Sequence, residues 1–279
     1  MFRALRVEVA KLIHQRLTWV SLGALAVLTA LFGWGMWQHP FRPDLPGTAG
    51  GEFLLAGKLT TAPLLSYMLL RLPVAVTLLM PLMIAVVTGG LVAGERYVGT
   101  LRTVLVRPIS RLALLAAKLV TAWLHAVVLT FFLGAFALGL GYVLFGRGDL
   151  IPLSPHGGLT IFPHGQALAR LALGYGLAAV AMISVASLGL FFSTVCDNPL
   201  TAAGLTAGFL FVCAALQVIP YFESWKPYLM TTYLDVGNHA FARPVPWSQV
   251  GQALTCLLSY AAVAAVSAAV FFSRRDVRC

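Results

Sequence analysis

Residues 94–111 read GERYVGTLRTVLVRPISR. This charged, glycine-punctuated island separates two stretches of chain that are almost wholly apolar. On a helical wheel, residues 96–107 place Arg96, Thr100, Thr103 and Arg107 on one face, and Val98, Leu101 and Leu105 on the opposite one. The spacing predicts a short two-faced helix, which needs surroundings with an apolar side and a wet side. What those surroundings are follows from the chain to either side.

Of the 279 residues, 59% are hydrophobic and 10% charged, and the mean hydropathy is +0.88. So little polar surface cannot cover a soluble globule of this size. The charges cluster, and six apolar blocks between them reach the roughly 20 residues a helix needs to cross a bilayer core. They lie near Leu17–Trp37, Leu72–Ala93, Leu112–Leu140, Leu168–Phe192, Leu200–Ile219 and Val250–Phe272. The second is the least sharply bounded, because Leu64–Leu70 is also apolar and only Arg71 and Pro73 interrupt the run. The expected fold is an all-α polytopic membrane protein with six transmembrane helices, forming a single transmembrane domain over 1–279.

Orientation follows from the basic residues, which are retained on the cytoplasmic side of spans. With the N-terminus inside, the cytoplasmic face receives Arg3, Arg6, Lys11, Arg16, Arg96, Arg102, Arg107, Arg111, Lys118, Arg274, Arg275 and Arg278, out of 19 Lys and Arg in all. The remainder are spread along longer outer loops at 38–71, 141–167 and 220–249. Both termini are therefore expected in the cytoplasm of a multi-pass protein of the cytoplasmic (inner) membrane. The net charge of +10 is explained by this topology and by anionic lipid, and nucleic acid is not an expected partner.

The leader, 1–16, puts Phe2, Leu5, Val9, Leu12 and Ile13 on one stripe and Arg3, Lys11 and His14 opposite, as in a helix lying in the headgroup layer. Span one, followed by GWGMWQHP, has no small-residue cleavage site and is expected to be an uncleaved anchor. The outer loop from Phe53 to Leu70 suits a surface-lying helix, and Tyr221, Trp225, Tyr228, Tyr233 and Trp247 suit an aromatic belt. Small residues at Gly90 and Gly94, and at Gly204 and Gly208, are spaced for close helix contact, the latter pair as a candidate dimer interface.

Lys118, near one end of span three, is expected to snorkel toward the headgroups. His125 is two turns deeper, with no carboxylate near it in sequence, so a proton relay is not indicated. The chain has no GxxxxGK[ST] phosphate loop, no HExxH, no GxSxG elbow and no paired acids, so neither catalytic nor cofactor-binding residues are expected. The four cysteines show no metal spacing, and His39, His156 and His164 match no metal pattern; the histidines read as ordinary loop residues.

Three segments resemble the membrane subunits of ABC transporters of the type-2 exporter class. They are ERYVGTLRTVLVRPISRLALLAAKLV around the opening stretch, FFSTVCDNPLTAAGL before span five, and the ending FFSRRDVRC. The resemblance implies an ABC transporter permease subunit that works as a pair, likewise a homodimer, and docks two copies of a separate ATPase chain. That chain would bind ATP and Mg and hydrolyse the nucleotide. It further implies that 94–111 is the cytoplasmic coupling helix between spans two and three. The contact residues are then Glu95, Arg96, Val98, Gly99, Thr100, Leu101, Arg102, Leu105, Arg107, Pro108, Ser110 and Arg111. In this reading Pro108 ends the short helix, Ser110 caps span three, and Glu95, on the same flank as Arg102, pairs with the partner or with Arg16. The competing reading is an integral-membrane enzyme or secondary carrier whose inner loop anchors to lipid.

Overall fold

The computed structural model describes residues 2–39, 60–99, 110–152 and 161–274. A helix over Phe2–His14 (α1) stops at Gln15, and the first long apolar helix, α2, runs from Arg16 to Gln38. A short helix, α3 (Ala62–Arg71), precedes a π-helical turn at Val74–Leu79 that continues into α4 (Met80–Tyr97). The wide turn falls between Pro73 and Pro81. The ring of Pro81 crowds the carbonyl one turn back and offers no N–H, so the ordinary hydrogen-bond ladder is displaced there. Long helices α5 (Arg111–Leu144) and α6 (His164–Val195) follow, then α7 (Pro199–Val218). Three 3-10 segments (Pro220–Tyr228, Met230–Tyr233, Val236–Phe241) lead to α8 (Trp247–Arg274).

Six helices are long and apolar enough to cross a membrane: Arg16–Gln38, Val74–Tyr97, Arg111–Leu144, His164–Val195, Pro199–Val218 and Trp247–Arg274. An even number of antiparallel crossings brings α1, the ends of α4, α6 and α8, and the starts of α5 and α7 to one end of the bundle. That is called the terminal end below, and the opposite one the loop end. Helix α6 is central, with 72% of its most apolar window buried, and α4, α5, α7 and α8 pack around it.

Apolar area alone does little to hold helices together in lipid, because acyl chains are as apolar as leucine; close packing and interhelical hydrogen bonds carry more of the association. Such bonds cross this bundle. The Tyr175 hydroxyl donates to the Ser66 carbonyl at 2.9 Å, joining α6 to α3. Trp123 Nε1 donates to Ser187 Oγ at 2.8 Å between α5 and α6, and Ser184 Oγ to the Leu257 carbonyl at 2.9 Å between α6 and α8.

Two sequence expectations change. Of the segment expected to lie on the outer surface, residues 53–59 lie outside the described residues; the remainder falls in α3, whose residues Ala62–Leu70 are buried, Met68 excepted, against α5 and α6. Its apolar residues surround the whole helix rather than forming one stripe, which suits a buried element and not an interfacial one. Close approach along α4 comes at Gly89, not at Gly90 and Gly94. A Cβ on Gly89 would stand 2.9 Å from the Ala203 backbone nitrogen, whereas Gly94 has open space around it. The three-residue connection Cys196–Asn198 joins α6 to α7, and α7 leans chiefly on α4 through this glycine contact.

Candidate functional site

The opening stretch begins inside α4 and not in a separate helix. Glu95, Arg96 and Tyr97 form the last turn, Val98 caps it, and Gly99 breaks it at φ +76°. That left-handed conformation is the common helix stop, and glycine takes it without a Cβ clash. Arg96 therefore belongs to the span, and the wheel that ran it through to Arg107 is interrupted at Gly99. At the other root, Ser110 takes extended backbone and its Oγ accepts from the Ala113 N–H at 3.3 Å, so it caps α5 as expected. Thr100, Leu101, Arg102, Thr103, Leu105, Arg107 and Pro108 lie outside the described residues.

Directly beneath these roots, four charged side chains from three elements form a closed square. Glu8 Oε1 is 3.0 Å from Lys11 Nζ and Glu8 Oε2 is 2.9 Å from Lys118 Nζ. Glu95 Oε1 is 2.7 Å from the same Lys11 nitrogen and Glu95 Oε2 is 2.9 Å from that of Lys118. Each carboxylate bridges both ammonium groups, and the four charges sum to zero. Side-chain exposure is 0% for Lys118, 3% for Glu8, 15% for Glu95 and 45% for Lys11. Taking such charges out of water is costly unless every one is paired at close range, and here each is paired twice.

Local geometry explains how the square closes. Glu8 and Lys11, three apart, share a face of α1, and Glu8 lies between Leu5 and Leu12 on the line that packs against α5. Lys118 points inward from the second to third turn of α5 and is fully buried, in place of the expected snorkelling side chain. Glu95 finds Lys11 and Lys118 in place of Arg16. Burial opposes the charged form of Lys11, but its bonds to Glu95 and Glu8 and their charges outweigh this and hold its pKa above the ordinary lysine value.

Arg96 makes a second tie. Its guanidinium donates to the carbonyls of Thr194 at 3.3 Å and Cys196 at 3.1 Å, and to Asp197 Oδ1 at 3.2 Å, clasping the end of α6 and the turn into α7. One turn deeper, Ser193 Oγ accepts from the N–H groups of Val92 and Ala93 and donates to the Gly89 carbonyl, inserting into the α4 ladder. The last two turns of α4 are thus bonded to α1, α5 and α6 at once.

The remaining candidates are placed as follows. Gly204 and Gly208 lie on an exposed face of α7 with open space about them, beside exposed Leu200 and Phe211. His164 is no loop residue: it opens α6, its N–H donates to Asp149 Oδ1 at 3.0 Å, and its ring nitrogens bond Tyr142 and the Gly148 carbonyl. His156 lies outside the described residues. His125 is buried, and among the described residues its Nε2 has no hydrogen-bond partner. No group of metal-ligating side chains occurs among the described residues.

A six-span helical bundle whose loop-bearing α4 is ionically locked to an N-terminal helix defines an all-α, multi-pass membrane protein. Residues 4–192, more than half of the chain, match the family described as ABC-2 family transporter protein, and the chain belongs to that family. Its six membrane-crossing helices and this match make it a membrane protein of the ABC-2 transporter family. The uncharacterized protein YhcI of Bacillus subtilis (strain 168) is 26% identical over 209 residues, which cover 72% of this chain and 66% of that relative, slightly under two thirds of its length.

Proposed function

We propose that the chain is the permease half of an exporter, working as a pair of copies with two copies of a separate ATPase subunit that binds ATP and Mg. Residues 94–111 form the contact with that subunit at the cytoplasmic face, where both termini lie. The observation that carries this reading is the square of Glu8, Lys11, Glu95 and Lys118. Force delivered to a loop moves a span only if the loop's roots are stiffly joined to it. Glu95 and Lys118 lie close to the two roots, and their bonds to one another and to α1 supply that stiffness.

Within the loop, Val98, Leu101 and Leu105 are assigned to the partner's groove or the bilayer boundary, and Arg102, Arg107 and Arg111 to polar contacts with the partner. Arg96, already engaged with the α6–α7 turn, passes the motion to α7. The exposed Gly204 and Gly208 face of α7 is assigned to the second copy, where small residues let backbones approach. The test is co-purification. An ATPase chain carrying a phosphate loop, encoded beside this one and co-expressed with it, is expected to elute with it in equal number. Elution of the permease free of that chain, under conditions where both are folded, would sink the proposal.

A further inference from the structure

We draw no further inference here: the strongest candidate, the pair of guanidinium groups of Arg170 and Arg243 over the buried Phe162 ring at the loop end, carries nothing, because each is already bonded within the chain, Arg170 to the Ala240 carbonyl and Arg243 to Gln166, residues 153–160 beside it lie outside the described ones, and nothing among the described residues shows what covers it.

Discussion

Lys118 is the residue on which the terminal end closes. With its side chain fully buried and its nitrogen 2.9 Å from both Glu8 and Glu95, Lys118→Met leaves two carboxylates sharing Lys11 alone. Breaking a buried ion pair by removing one partner costs about 3–5 kcal/mol, so a clear fall in the thermal midpoint of the detergent-purified chain is expected. Glu8→Gln added to Lys118→Met removes the uncompensated charge and is expected to recover part of the loss; a double variant no better than the single would show that the square does not act as a unit. Sequence reading located Lys118 at the end of its span and gave it the behaviour of most such lysines. What it missed was Glu8, 110 residues away. The signal was present in outline: Glu8 sits between Leu5 and Leu12 on the side of α1 that packs against α5, a place where a carboxylate persists only with a cation opposite.

At the scale of elements, the spans were legible because their apolar runs are long and their boundaries charged. Leu112–Leu140 was expected and α5 runs from Arg111 to Leu144; Leu168–Phe192 was expected and α6 runs from His164 to Val195. Packing was less legible, since glycine spacing marks where helices can approach without saying which do. Gly89 is the close contact because Ala203 and the Pro199 carbonyl of α7 happen to face it, a matter of helix rotation that composition leaves open. Gly89→Val is therefore expected to force α4 and α7 apart and reduce the yield of folded protein in membranes. Gly204→Ile, on the open face of α7, is expected to keep that yield and weaken cross-linking between two copies. Normal yield for the first, or normal dimer cross-linking for the second, counts against the corresponding contact. Likewise α3 could be seen as apolar, but only its burial by α5 and α6 shows it to be an internal element.

For the whole molecule, composition and charge distribution led to a multi-pass membrane protein, and the match over residues 4–192 places it in the ABC-2 transporter family. Orientation belongs to the proposal: with Arg274, Arg275 and Arg278 cytoplasmic, Cys279 is expected to resist impermeant thiol reagents in intact cells and to react after permeabilisation. Labelling without permeabilisation would reverse the topology and put the 94–111 loop out of reach of any cytoplasmic ATPase. The central claim is that this loop, held at its roots by Glu95 and Lys118, delivers the partner's motion to the spans. Its most direct test is ATP hydrolysis by the reconstituted complex carrying Leu101→Asp, compared with the parent at matched membrane yield. A carboxylate in place of an apolar contact residue is expected to lower the permease-dependent hydrolysis at least tenfold; hydrolysis at the parent rate by a well-inserted variant would contradict the account.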